Sequence, residues 1–145
     1  MTDEGLGARM KRYEAQEAGR RLMPLLPVLA RIDGRAFSTF TQGLERPYDV
    51  RLSRAMIDTT RFLVEETGAR TGYTQSDEIS LLWHATDPKD QLFFDGRIQK
   101  MVSVLAALAT VELNRLLAVA LPDYAARRPV FDCRVWQVPA TRFRP

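Results

Sequence analysis

The sequence predicts an α+β domain of the ferredoxin-like kind, β-α-β-β-α-β, with an antiparallel sheet, both long helices on one face and an additional N-terminal helix. Three observations carry that prediction. Two segments with helical periodicity, 50–67 and 95–120, are separated by two short β-like runs that meet at Ser76-Asp77. Apolar runs of strand length stand before the first of these helices, at 27–33, and after the second, at 129–139. The chain has 145 residues, 46% of them hydrophobic, so residues 1–145 are read as one domain with ample material for a core.

Each element has its own local reason. Residues 5–21 are strongly charged, set Leu6, Met10 and Tyr13 on one side and reach Gly19 near their end, which reads as a short helix. MPLLPVLARID, bracketed by Pro24 and Pro27, yields a buried strand from Pro27 to Asp33. GRAFSTFTQGLERP holds Gly34, Gly43 and Pro47 without a sustained period, and reads as a loop with one helical turn. Asp49 is a good N-cap for a helix over 50–67. Within it Leu52, Met56, Thr59 and Leu63 fall at i, i+4, i+7 and i+11, and Gly68 follows as a stop.

ARTGYTQ and EISLLWH are two strands joined by Ser76-Asp77 as a tight hairpin. A polar loop, ATDPKDQ, leads to the helix over 95–120. Its core stripe is Ile98, Met101, Val102, Leu105, Leu108, Ala109, Leu113 and Leu116, with Pro122 beyond its end. PVFDCRVWQVP is the fourth strand. Right-handed crossovers give the sheet order 4-1-3-2.

Composition narrows the chemistry. The formal charge of +3 is uneven: residues 127–145 hold five Arg against one Asp, which leaves −1 over residues 1–126. One cysteine, Cys133, excludes an internal disulfide and a multi-Cys zinc site, and fits a reducing, cytoplasmic setting. The first 20 residues have no apolar h-region. The longest apolar stretch, Met101 to Ala109, is broken by Ser103 and is too short to span a bilayer, so no membrane partner is expected. A single histidine, His84, speaks against His-based metal sites and Ser-His-Asp hydrolysis. What remains for catalysis is carboxylates, arginines and backbone groups.

The predicted topology gathers such groups. The first strand ends at Asp33, and the third, antiparallel beside it, starts just after Asp77, so Asp33 and Asp77 should meet at one rim. Converging carboxylates repel unless a cation sits between them. Mg²⁺ accepts one or two carboxylates plus phosphate oxygens, and two such ions about 4 Å apart serve phosphoryl transfer. Asp33 and Asp77 are therefore the candidate metal ligands, the Gly34 carbonyl a third, and Glu78 a direct ligand or an outer partner. Asp-Gly and Ser-Asp are also ordinary turn pairs, and that plainer reading applies to each segment alone.

Gly34 permits a sharp turn, so the N–H groups of residues 34–38 are expected to face inward as an anion nest. Ser76 offers a hydroxyl, and Arg31, Arg35 and Arg46 are candidate phosphate clamps. Phe37 and Phe40 are read as packing the loop onto the core. Trp83, Trp136, His84 and Cys133 are read as structural.

At these motifs the chain resembles the tRNA(His) guanylyltransferase family and its bacterial and archaeal-type 3′–5′ polymerase-like relatives. The likeness runs from LGARMKRYE at 6–14 to FDCRVWQVP at 131–139, and is most specific in RIDGRAF at 31–37 and GYTQSDEIS at 72–80. TFTQGLERPYD, DGRIQKMVSVLAALAT and the FDxRV strand support it.

The resemblance implies a palm-like domain that uses two Mg²⁺ ions, GTP and ATP to add a nucleotide to a tRNA 5′ end, either as G addition or as templated 5′-end repair. It implies activation of the 5′-monophosphate, then attack by the 3′-hydroxyl of GTP, and self-association as a dimer or tetramer. Asp33 and Asp77 match the metal carboxylates, and Gly34 matches the backbone ligand. Arg35, Ala36, Phe37 and Ser38 match the triphosphate loop, with Ser76, Arg46 and Asp49 at nucleotide-contacting positions. Arg31, Arg97 and Lys100 match activation or phosphate positions, although the topology puts Arg97 and Lys100 at the far rim, where they serve only if loop 85–94 folds back or they bind a distant part of the substrate.

Ser38 stands where relatives usually have His, and Cys133 where Gly is common. Relatives continue beyond the FDCRVWQVP strand, and the basic tail is read as the point where a longer chain would go on. The alternatives are a nucleotidyl cyclase-like palm enzyme using the same carboxylates, and a non-catalytic nucleotide- or RNA-binding module. The last would need exposed aromatics on the middle strands, where Trp83 is the one candidate.

Overall fold

A computed structural model describes residues 5–140. In chain order it comprises α1 (Leu6–Ala18), β1 (Val28–Gly34), α2 (Phe37–Phe40), α3 (Val50–Thr67), β2 (Thr71–Gln75), β3 (Glu78–Trp83), α4 (Ile98–Ala120), α5 (Pro122–Ala125) and β4 (Phe131–Gln137), with a 3₁₀ turn at Phe93–Gly96. The four strands form one sheet in the order β2-β3-β1-β4, with antiparallel pairing throughout. This is the order expected from right-handed crossovers.

The sheet buries one face. On β1 the alternation brings Val28, Ala30 and Ile32 under the helices, and on β3 it does the same for Ile79, Leu81 and Trp83. The α3 face that meets them is Ala55, Met56, Thr59, Thr60, Leu63 and Thr67. Its three threonines would leave hydroxyls unsatisfied there, but each donates to the carbonyl four residues back, at 2.7–2.8 Å. The Trp83 indole N–H donates to the Thr67 carbonyl at 3.1 Å, so the buried tryptophan is satisfied as well.

Asp49 caps α3 by accepting from the Arg51 N–H, and Gly68 ends it at φ 68°. The core line of α4 is Met101, Leu105, Ala109, Leu113 and Leu117, a strict i, i+4 row. The expected stripe was wider: Leu116 is partly buried and Leu117 takes its place. The helix also starts later than expected, at Ile98, because Phe94 and Asp95 have positive φ and break the regular geometry before it. By length and composition alone α4 could cross a bilayer, which the break at Ser103 obscured in the sequence; its buried row packs on α3 and β4 instead.

α1 ends at Ala18, short of the expected 21, and contains no buried residue. Of the basic C-terminal stretch, Arg142 and Arg144 lie outside the described residues.

Candidate functional site

The register places the acidic residues. Asp33 of β1 pairs with Glu78 of β3 on one side and with Asp132 of β4 on the other. Paired residues share a face, and Ile32 beside Asp33 points into the core, so these three carboxylates lie on the face opposite the helices. Behind them the next row runs Tyr73, Ser80, Arg31 and Arg134, and the one after it Thr71, Leu82, Leu29 and Trp136. Loose ion pairs link the first two rows. Arg31 Nε is 3.7 Å from Glu78 Oε2, and Arg134 is 3.9 Å from Asp33 Oδ2 and 3.6 Å from Asp132 Oδ1. Arg31 Nε is buried and has no hydrogen-bond partner among the described residues.

Asp77 reaches the same rim through the backbone: the Gly34 N–H donates to its carbonyl oxygen at 2.9 Å. Ser76 and Asp77 are the two turn residues between the paired Gln75 and Glu78, with Ser76 held at φ 56°. Both residues line a cavity of about 570 Å³ between this hairpin, α2 with the loop after it, and the start of α3. Phe37, Ser38, Arg46, Asp49, Ser76 and Asp77, all singled out from the sequence, line it. Leu52, Met56 and Ile57 give it an apolar wall, and Tyr48 stands exposed at its edge. An apolar wall with polar groups at one end, at this volume, suits a small ligand with a charged tail.

Several expectations need correction. The anion nest is narrower than 34–38, because the Gly34 N–H is bound to Asp77 and the Arg35 N–H donates to the Val130 carbonyl at 2.9 Å. The amides at Ala36, Phe37 and Ser38, the open first turn of α2, remain. Ala36, at φ 53°, makes the sharp bend that was assigned to Gly34. Gly34 is needed for a different reason: a Cβ there would sit 2.5 Å from the Phe37 ring. Phe37 and Phe40 are buried, at 4% and 6% exposure, and Phe37 packs on Phe131, as their structural reading expects.

Asp49 lines the cavity, but Arg51 engages both carboxylate oxygens, at 2.7–3.0 Å, and holds the carboxyl down at about 2. Any ligand contact would have to share those oxygens.

Arg97 and Lys100 stay at the far rim. Loop 85–94 does not fold back toward the carboxylates, because Phe93 stacks on Trp83 at the opposite end of β3 and the Lys100 ammonium lies over Phe94. Arg97 is fixed there by its bridge to Arg21. Trp83 is buried, while Tyr73 and Trp136 are the exposed aromatics on the open face, both on edge strands. Sequence reading passed over Asp132 and Arg134. The alternation in FDCRVWQ, with β4 placed beside β1, was the signal that could have found them.

Cys133 is half-buried, and desolvation pushes its thiol up to about 12, which disfavours the thiolate, in line with its structural reading.

For a divalent metal the test is the donor set. Among the described residues no three His, Cys, Asp or Glu side chains are grouped to hold one. Asp33, Asp77 and the Gly34 carbonyl are hard oxygen donors, and such a partial set suits an ion that completes its shell with phosphate oxygens and water.

A split β-α-β-β-α-β sheet with acidic residues at one rim and a cavity of about 570 Å³ beside it defines a palm-like class of protein. The sequence model of the tRNAHis guanylyltransferase family matches residues 7–139, and the chain belongs to that family. A bacterial tRNA(His) guanylyltransferase-like protein in complex with ATP is 35% identical, with a TM-score of 0.90 over 97% of this chain and 61% of that one. A bacterial tRNA(His) guanylyltransferase-like protein in complex with GTP is 37% identical, with a TM-score of 0.87 over 93% of this chain and 64% of that one. An uncharacterized protein of Acanthamoeba polyphaga mimivirus is 40% identical over 92% of this chain and 52% of its own length. The tRNA(His) guanylyltransferase of Schizosaccharomyces pombe is 33% identical over 70% and 37%. The chain thus spans roughly half to two thirds of the first of these relatives.

Proposed function

We propose that this chain is the catalytic palm of a nucleotidyltransferase that uses GTP and ATP to extend the 5′ end of a tRNA in the 3′–5′ direction. The observation that carries the reading is the hydrogen bond from the Gly34 N–H, next to Asp33, to the Asp77 carbonyl at 2.9 Å, which brings the end of β1 to the hairpin that lines the 570 Å³ cavity. Relatives at 35–37% identity are in complex with ATP and with GTP, which supports reading that cavity as a nucleoside triphosphate site.

In this reading the base and ribose rest on Leu52, Met56 and Ile57. The triphosphate turns toward the amides of 36–38, the Ser38 and Ser76 hydroxyls and Arg46. Asp33 and Asp77, with the Gly34 carbonyl, would hold Mg²⁺, whose chemistry is to neutralise phosphate charge and lower the pKa of the attacking hydroxyl. Glu78 and Asp132 flank Asp33, and Arg31 and Arg134 are placed to meet the phosphate of the RNA end. Trp136 and Tyr73, farther along the open face, offer surfaces on which an unpaired base can stack. In this reading the setting is cytoplasmic and the chain self-associates.

Incubation with labelled GTP, ATP, Mg²⁺ and a tRNA lacking its 5′ nucleotide tests this. Label should enter the tRNA, and Asp33→Ala or Asp77→Ala should cut incorporation by at least about 10²-fold. GTP binding without incorporation would leave a nucleotide-binding subunit in place of an enzyme.

A further inference from the structure

α2 is a four-residue helix, too short to hold its own shape, yet it forms one wall of the cavity and carries the amides at 36–38. Its orientation must come from outside it. Phe37 and Phe40 anchor its underside in the core. The carbonyls at its C-terminal end, which no helical turn satisfies, are met from the segment just before β4.

There the Arg127 guanidinium donates through one nitrogen to the Phe40 carbonyl at 2.8 Å and to the Gln42 carbonyl at 2.9 Å. The Tyr124 hydroxyl donates to the same Gln42 carbonyl at 3.1 Å. Tyr124 is also the platform for Arg127, whose guanidinium carbon lies 4.2 Å from the ring centroid, and the ring meets Phe40 edge-on. Gly43, at φ 92°, completes the fit, because a Cβ there would lie 2.8 Å from the Tyr124 hydroxyl.

We propose that Arg127 and Tyr124 are positioning residues that clamp the 40–43 turn and thereby hold α2 and the Ser38 side of the cavity in place for a nucleoside triphosphate. The proposal rests on the nucleotide reading of that cavity. It assigns Arg127 work inside the domain, where the sequence showed a basic tail. Neither residue lines the cavity, so both act through α2 and not on the ligand. The guanidinium matters for its stacking on the Tyr124 ring as well as its charge, so lysine is an incomplete substitute.

The test measures amide hydrogen exchange over residues 37–44 together with the affinity for Mg·GTP. Arg127→Gln is expected to raise exchange in that segment, and the Kd and KM for GTP, roughly tenfold, with kcat at saturating GTP within about twofold. Arg127→Lys should recover part of the loss. Tyr124→Phe, which keeps the ring and removes one hydrogen bond, should give a smaller rise of about threefold and provides the test should Arg127→Gln not fold.

Unchanged exchange over 37–44 in the folded variants would overturn the clamp. Raised exchange with an unchanged Kd for GTP would overturn its link to the ligand. If the unaltered chain does not bind GTP, the nucleotide reading itself fails, and this is seen before any variant is compared.

Discussion

Asp49 meets both the backbone and the side chain of Arg51. Its carboxylate caps α3 through the Arg51 N–H and pairs with the Arg51 side chain, and together these hold the carboxyl at about 2, below its ordinary 3.8. A lowered folded-state value means stability that is present above pH 3.8 and fades as the pH falls toward 2. Asp49→Asn keeps a capping oxygen and removes the charge, so it should cost about 1 kcal/mol at pH 7, a modest figure because Arg51 is largely solvated. Denaturant titrations at pH 7, 4 and 2.5 should show the gap between the two proteins closing only in the most acidic series. A gap independent of pH would mean that the carboxylate charge contributes nothing.

The cap was legible from sequence, since Asp before a periodic segment has that meaning locally. The Arg51 pairing was not, because it depends on the rotamers of two residues at the start of a helix. Gly34 shows the same division: the glycine was visible, but its reason, the Phe37 ring lying against it, required the packed loop.

Among the elements, α1 stands apart. It is charged and buries no residue, and Leu6, Met10 and Tyr13 remain 65%, 47% and 50% exposed along one side. A helix with a free apolar stripe gains by covering it. Replacing the three residues with Gln should shift the chain toward monomer in light scattering while the thermal midpoint at low protein concentration stays within a degree or two of the parent. An unchanged mass would remove α1 from any self-association.

The strands and long helices were readable because their periods of 2 and 3.6 repeat over enough residues. The start of α4 was not, since DGRIQK continues an apparently helical pattern through the positive-φ residues Phe94 and Asp95. Arg97 and Lys100 match activation or phosphate positions by resemblance, and the structure keeps them apart from the carboxylates. α4 begins at the far rim, and Phe93 on Trp83 keeps the preceding loop there.

At the scale of the whole molecule, two features meet: a cavity with few fixed cations and a rim without a complete metal cage. Metal and nucleotide should therefore bind as a unit, each completing the other's site. In a thermal shift assay GTP with Mg²⁺ should raise the midpoint by several degrees, corresponding to about 2.7 kcal/mol at a hundredfold excess over Kd. Either one alone should raise it much less, and EDTA should abolish the effect. An equal shift by GTP without metal would place the triphosphate on the amides and Arg46 and away from the carboxylates.

The amino-acid order by itself determined the succession of elements, the sheet order and the approach of the end of β1 to the Ser76-Asp77 hairpin. Those follow from local periodicity, turn chemistry and the handedness of crossovers. Tertiary structure decided what depends on register and on contacts distant in sequence. Cross-strand pairing set Asp132 and Arg134 beside Asp33 and Arg31. Hydrogen bonds to Asp77 and Val130 took two amides out of the nest. Arg127 was brought 85 residues back along the chain, onto the turn behind Ser38.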